Sequence, residues 1–179
     1  MLESTNVNLR VMEKEDLPLL KEWLNDLEFR GEYLSPRQRS RTEMEKAFEN
    51  NSFEWKYFVV EKKDGSKIGW ICHFYMLHPS TKLLEIGYAL VSSERGKGYC
   101  TEAARIMVDY LFLLKDTTRI QAFTPTGNVA SQKVLEKAGF KKEATIRKFG
   151  FLRGKHIDAY LYSILREEWK EPKILTKTT

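Results

Sequence analysis

The sequence predicts one α+β domain with a twisted, mostly antiparallel sheet of about seven strands and about four helices. Segments in which apolar and polar residues alternate are joined by short turns, which is typical of antiparallel strand pairs. Two helical segments in the second half separate strands, and therefore act as crossovers. The predicted order, β-α-α-β-β-β-α-β-α-β-β, differs from that of a doubly wound sheet.

The first third of the chain predicts one strand and two helices. The stretch NVNLRVM, residues 6–12, alternates as a strand does. A helical pattern follows over 13–26, with acidic residues and Pro18 near its start. After the basic loop LSPRQRSR, the run Thr42-Glu43-Met44-Glu45 matches a capping box, which predicts a short helix to about residue 50.

A meander of three strands comes next. Asp64-Gly65 is a hairpin-turn signal between the first two strands, and Pro79-Ser80 turns the chain before the third. The predicted strands cover residues 55–63, 67–77 and 82–91.

The second half predicts two helices and three strands. Gly139 follows the second helix, as expected for a glycine at a helix C-terminus. We expect the domain to cover residues 1–172 and the tail, 173–179, to be flexible. The predicted helices cover about 101–115 and 129–139, and the strands cover 119–123, 140–152 and 155–165.

Composition limits the possible classes of protein. The 179 residues are 42% hydrophobic and 31% charged, with a net charge of +5. Two cysteines, three histidines without metal-binding spacing and no signal-like N-terminus predict a cytoplasmic protein without a metal. No apolar run is long enough to span a bilayer. A basic nucleic-acid-binding protein is a distant alternative, because the cations form no clear stripe.

The stretch SSERGKGYCTEA, residues 92–103, places two glycines and two cations just before a helix. It is not a Walker A loop, since Lys97 is followed by Gly98, and Thr101 stands where a dinucleotide-binding motif needs its third glycine. A strand, a glycine turn and a helix N-terminus can bind a pyrophosphate through backbone amides, and Arg95 and Lys97 would add charge. The alternative is an ordinary tight turn with solvated cations.

Two motifs together resemble the GNAT superfamily of acyl-CoA-dependent N-acetyltransferases. Arg95 to Cys100 is similar to its pyrophosphate loop, except that Cys100 replaces glycine or alanine. Asn128 and Gly139-Phe140 are similar to its second motif, and blocks along nearly the whole chain resemble the RimJ/RimL-like branch. The resemblance implies the GNAT fold, acetyl-CoA as the donor, and these CoA-contacting residues: Leu90, Val91, Arg95, Gly96, Lys97, Gly98, Tyr99, Cys100, Thr101, Asn128 and Ser131.

Glu85 is the candidate general base. Alternation places it on the strand face of Gly87 and Ala89, two small residues that leave room for a substrate. In the family that the chain resembles, a glutamate on the equivalent strand takes the proton of the amine through water. The alternative is a solvent-facing glutamate that pairs across the strand.

Ser131 is the second catalytic candidate. The tyrosine that many GNAT enzymes use as a general acid is Leu135 here, and the resemblance implies that Ser131 contacts the thiol sulfur instead. The alternative is a first-turn serine that bonds to the backbone. In the RimJ/RimL-like branch a catalytic glutamate stands where this chain has Gly150. Its absence either makes Glu85 more necessary as the base or means that the base lies elsewhere. Cys100 could have a lowered pKa at a helix N-terminus, but the chemistry needs no cysteine nucleophile.

The sequence therefore predicts an enzyme that moves an acetyl group from acetyl-CoA to a primary amine in a ternary complex. A protein N-terminus is the favoured acceptor, with polyamines and drugs as alternatives, and the chain could be a monomer or a homodimer. Arg37, Arg39 and Arg41 would favour an acidic acceptor if they are more than a solvated charge run. A non-catalytic acyl-CoA-binding module is the main alternative, because the usual tyrosine and second glutamate are absent.

Overall fold

The computed structural model describes residues 1–49, 55–78, 81–170 and 172. This part of the chain forms one eight-stranded sheet in the order β1-β2-β3-β4-β5-β6-β8-β7. All neighbours are antiparallel except β5 and β6. The strands are Leu2–Glu3 (β1), Val7–Val11 (β2), Trp55–Lys62 (β3), Lys67–His78 (β4), Thr81–Leu90 (β5), Arg119–Pro125 (β6), Lys141–Leu152 (β7) and Lys155–Leu165 (β8).

The predicted mixed fold is confirmed, with one more strand and one more helix than expected. Strand β1 has only two residues, too few for alternation to reveal it, and it pairs with β2. The additional helix is a single turn, too short to show a helical period. The α-helices of the described residues are Leu17–Asn25 (α1), Leu27–Arg30 (α2), Arg41–Glu49 (α3), Tyr99–Leu114 (α4) and Val129–Lys137 (α5), and three 3-10 turns cover Lys14–Asp16, Ser92–Glu94 and Arg166–Glu168.

The predicted capping box of α3 is wrong by two residues. The Ser40 amide donates to Glu43 at 2.7 Å, and the Glu43 amide donates to the Ser40 hydroxyl at 3.2 Å. Ser40 therefore starts the helix and Thr42 lies inside its first turn. Both Ser40 and Thr42 have a glutamate three residues later, so the pattern alone is ambiguous.

Helices cover both faces of the sheet and create two apolar cores. Helices α4 and α5 pack on one face, where Leu84, Ile86 and Leu90 of β5 are buried. Helices α1, α2 and α3 pack on the opposite face, where Ala89 of β5 contacts the second core. The alternation predicted for β5 is therefore confirmed.

The parallel pair β5 and β6 separates soon after it forms. Only Leu84 with Ile120 and Glu85 with Gln121 are paired. Beyond these residues β6 continues beside β8, while β5 continues beside β4. The two strands therefore leave a gap in the middle of the sheet that opens towards their carboxyl ends.

Two predictions fall on residues outside the described ranges, namely the turn at Pro79-Ser80 and the tail 173–179. Within the described part of the chain, no helix has the length and apolar character needed to cross a bilayer.

Candidate active site

A cleft of about 820 Å³ occupies the gap between β5 and β6. Its walls come from both faces of the sheet. On one side lie the loop before α4 and the first turns of α4 and α5, and on the other lie α2, the segment after it and Trp70 of β4. Two molecules could therefore enter from opposite faces and meet between the strands.

The glycine loop forms one end of this cleft. Gly96 and Gly98 have φ angles of +76° and +91°, a conformation that other residues rarely adopt. A Cβ atom at either position would meet nothing within 4 Å, so the space above the loop is open. Gly98 is the N-cap of α4 and has no side chain to bond the amides of the first turn. Those amides and the helix dipole therefore remain available to an anion.

The predicted CoA-contacting residues divide into two groups. Nine line the cleft, whereas Val91 and Lys97 do not. The Val91 amide donates to Ile68, and the Lys97 ammonium pairs with Glu94 at 3.1 Å. The nine that line the cleft are Leu90, Arg95, Gly96, Gly98, Tyr99, Cys100, Thr101, Asn128 and Ser131.

Arg95 holds the loop in place. Its guanidinium donates to the carbonyl of Leu90 at 3.0 Å and to the carbonyl of Phe29 at the end of α2. The side chain therefore links the loop to the opposite wall of the cleft. The expected charge contribution of Arg95 to phosphate binding stays a prediction.

Lys133 and Lys137 of α5 are cations that line the cleft and that the sequence motifs do not single out. They are four residues apart, so they lie on the same face of the helix. This spacing is visible in the sequence, but nothing local indicates that this face of α5 lines the cleft.

Asn128 and Ser131 lie at the start of α5. The Asn128 side chain accepts a hydrogen bond from the Ser131 amide at 3.1 Å, which makes Asn128 the N-cap of the helix. The Ser131 hydroxyl lies 3.0 Å from the hydroxyl of Tyr88 on β5. Sequence motifs do not single out Tyr88, because this contact joins two elements that are 43 residues apart.

Glu85 lies at the base of the cleft, at the last pair before β5 and β6 separate. It does not line the cleft itself, but Gly87 and Ala89 on the same strand face do. The Gln121 amide donates to the Glu85 carboxylate at 3.5 Å. Burial raises the pKa of Glu85 to about 7, although the bond from Gln121 opposes this rise. A carboxylate with this pKa can accept and release a proton near neutral pH.

Cys100 has the opposite character to the one considered from the sequence. It is a free thiol, and burial raises its pKa to about 12, although the charge of Arg95 lowers it. The thiol therefore stays protonated at neutral pH, which disfavours a nucleophilic role.

The wall opposite the glycine loop is largely aromatic and apolar. Phe29, Tyr33, Leu34 and Trp70 line it. The Tyr33 hydroxyl donates to the Gly127 carbonyl at 2.8 Å and thus connects this wall to the turn before α5. Within the described ranges, no group of three or more His, Cys, Asp and Glu side chains is placed to hold a metal ion.

Comparison with known proteins identifies the family to which the chain belongs. Residues 6–141 match the family model described as acetyltransferase (GNAT) domain. The chain is 29% identical over 175 residues to an uncharacterized N-acetyltransferase, p20, of Bacillus licheniformis, covering 94% of this chain and 97% of that protein. It is 34% identical to the probable N-acetyltransferase YjcK of Bacillus subtilis, covering 76% and 75% of the two chains.

Solved structures with the same fold are similar over most of the chain. The ribosomal L7/L12 α-N-protein acetyltransferase RimL, in complex with coenzyme A, superposes with a TM-score of 0.80 at 20% identity and covers 90% of this chain and 95% of its own. A spermidine N-acetyltransferase of Vibrio cholerae, in complex with CoA and spermine, superposes with a TM-score of 0.79 at 22% identity, covering 91% and 97%. The chain therefore belongs to the GNAT acetyltransferase family.

Proposed function

We propose that this N-acetyltransferase binds acetyl-CoA at the glycine loop and transfers the acetyl group directly to a primary amine in the gap between β5 and β6. The observation that carries the proposal is the cleft itself. The glycine loop and the first residues of α4 line one end of it, and Gly87 and Ala89, on the strand face of Glu85, also line it. Burial raises the pKa of Glu85 to about 7. In this arrangement the donor enters from the α4 and α5 side and the acceptor from the α1 and α2 side.

The reaction needs proximity and proton transfer more than covalent catalysis, because a thioester is already activated. Glu85, acting through a water molecule, takes a proton from the ammonium group. The neutral amine then attacks the thioester carbonyl, and the carbon–sulfur bond breaks. The nitrogen loses its second proton as the amide forms, and the departing thiolate takes up one proton to leave as CoA–SH. Ser131 donates a hydrogen bond to the departing sulfur, which stabilises the developing thiolate.

The acceptor that we favour is the N-terminal amine of a protein. The part of the cleft lined by α2 and the segment after it offers aromatic and apolar side chains and one acid, Glu32. Arg30 also lines this part of the cleft. The nearby charges of Arg37 and Arg39 contribute to its lowered pKa, after the larger effect of burial, so the positive charge on this side is greater than that of one arginine. A polyamine carries several positive charges and would be repelled there, whereas a neutral or acidic peptide would not.

A CoA-release assay tests this function. We expect peptides with a free N-terminus and acidic following residues to release CoA faster than spermidine or an aminoglycoside. A preference for spermidine would contradict the proposed acceptor. Binding of CoA without release by any amine of the panel would favour the non-catalytic alternative.

A further inference from the structure

The hydroxyl of Tyr88 is a polar group beside the serine assigned to the sulfur. It lies 3.0 Å from the Ser131 hydroxyl oxygen and 3.3 Å from the Ser131 carbonyl oxygen. The Tyr88 ring lines the cleft and packs against the core under α4 and α5. The ring therefore fixes where the hydroxyl lies relative to the first turn of α5.

Two hydrogen-bond arrangements are compatible with these distances, because a phenol has one proton and Ser131 offers it two acceptors. In the first, Tyr88 donates to the Ser131 carbonyl and accepts the proton of the Ser131 hydroxyl. In the second, Tyr88 donates to the Ser131 hydroxyl oxygen, and the serine proton is free to point elsewhere. Only the second leaves Ser131 able to donate a hydrogen bond to a sulfur atom.

The phenol is suited to donating a hydrogen bond and not to losing its proton. Burial raises the pKa of Tyr88 well above its usual value, and the hydrogen bond with Ser131 only partly opposes this rise. At neutral pH the group is therefore uncharged and keeps its proton throughout the reaction.

We propose that Tyr88 is a positioning residue that donates to the Ser131 hydroxyl oxygen and so directs the serine proton to the sulfur of the donor. The inference rests on the proposed function, in which Ser131 contacts that sulfur. Tyr88 acts through Ser131 and transfers no proton itself.

A double-mutant cycle tests the inference with Tyr88→Phe, Ser131→Ala and the double variant. Phenylalanine keeps the ring in the core and removes only the hydroxyl. We expect Tyr88→Phe to lower kcat about 3- to 10-fold, which corresponds to one hydrogen bond, without changing KM for acetyl-CoA. In the Ser131→Ala background the same substitution should have no further effect, since the group that it positions is gone.

Tyr162→Phe is the matched control. Tyr162 is a buried tyrosine of β8 whose hydroxyl donates to Glu136 at 2.9 Å, and Glu136 is also on α5. The substitution removes a comparable hydrogen bond to the same helix, but at Glu136 near its C-terminal end, and Tyr162 does not line the cleft. We expect Tyr162→Phe to lower Tm while kcat stays unchanged. An equal loss of kcat in both Tyr→Phe variants would mean that Tyr88 only holds α5 in place, which would overturn the positioning role.

The remaining outcomes separate this inference from the proposed function. If the wild-type chain releases no CoA with any amine, the proposed function fails. If the wild type is active but Tyr88→Phe lowers kcat equally with and without Ser131, the function stands and the positioning role is overturned. The role is also overturned if Ser131→Ala is as active as the wild type, because Tyr88 then has nothing to position.

Discussion

The raised pKa of Glu85 follows from its position, at the point where strands β5 and β6 separate. It is half-buried between the second core and the cleft, and its described hydrogen-bond partner is a neutral amide, Gln121. No cation forms an ion pair with it within the described ranges, so burial decides its pKa. The same residue on an exposed strand would be ionised well below neutral pH and would be a weak base.

We expect Glu85→Gln to change the pH dependence of the reaction. The pKa of about 7 means that the wild-type carboxylate gains its basic form as pH rises through 7, so kcat/KM should rise there. In the variant, kcat/KM should follow only the ionisation of the amine, with a pKa of about 7.7–8.0 for a protein N-terminus. At pH 7.5 we expect a loss of roughly 100-fold, the low end of what a general base contributes, measured as a pH–rate profile.

The loss should shrink at both ends of the profile. Below pH 6 the wild-type Glu85 is itself protonated, and at high pH the amine loses its proton without help. CoA affinity should be equal in the two proteins, which shows that the variant is folded. Superimposable profiles at all pH values would exclude Glu85 as the base.

At the scale of single elements, the shape of the glycine loop depends on backbone conformation and not on side chains. The left-handed conformation of Gly98 aligns the first amides of α4 towards open space, and the absence of a Cβ keeps that space free. The loop therefore needs no particular side chain at this position, only the lack of one.

We expect Gly98→Asp to weaken CoA binding by roughly a hundredfold or more, because a carboxylate would face the pyrophosphate at short range. Gly65→Asp is the matched control. Gly65 also has a left-handed φ angle, +84°, and a Cβ atom there would meet nothing within 4 Å, but it lies in the β3–β4 turn. Calorimetry should find normal CoA affinity in the control, and an equal loss in both variants would mean that backbone strain is the cause.

The start of α3 offers a second test at this scale. Ser40→Ala removes the hydroxyl that caps the helix, and we expect the free energy of unfolding to fall by about 1 kcal/mol. Thr42→Ala is the comparison, because Thr42 is an exposed first-turn residue, and its effect should be much smaller. Urea unfolding of both variants measures the difference. A larger loss for Thr42→Ala would restore the capping box expected from the sequence.

At the scale of the whole molecule, the interior between the sheet and α4 encloses the polar side chain of His73. His73 of β4 is 2% exposed and packs near the rings of Phe58 and Tyr110. Neither of its ring nitrogens has a hydrogen-bond partner in the described part of the protein. Burial lowers the pKa of His73 from 6.5 to about 4, with smaller contributions from Lys115 and Lys56.

This histidine makes stability depend on pH. Between about pH 6.5 and pH 4, His73 is protonated in the unfolded chain but neutral in the folded one. Proton binding therefore favours the unfolded state, and the free energy of unfolding falls as pH decreases through this range. We expect His73→Leu to remove this dependence and, by removing unsatisfied buried nitrogens, to stabilise the protein by roughly 1 to 3 kcal/mol at pH 5. Urea unfolding at pH 5 and pH 8 measures both effects. A greater benefit at pH 8 than at pH 5 would contradict the assignment.

The sequence by itself determined the features that depend on near neighbours in the chain. Alternation identified the main strands and placed Glu85 on the face of Gly87 and Ala89, because successive side chains of a strand point to opposite faces. Glycines before a helix predicted an anion-binding loop, which stays a prediction, and Asn128 indicated a helix start, which the structure confirms. Each of these rules relates residues a few positions apart, which is why no structure was needed.

Tertiary structure decided how these pieces meet. The separation of β5 from β6 creates the cleft, and it depends on β6 pairing with β8 as well as with β5. The same packing brings Gln121 within hydrogen-bond distance of Glu85, and Tyr88 within hydrogen-bond distance of Ser131. It also places the Arg95 guanidinium where it donates to the Phe29 carbonyl on the opposite wall of the cleft. A hydrogen bond between distant elements is set by how their apolar faces pack, and a local pattern contains no information on which residues that packing will bring together.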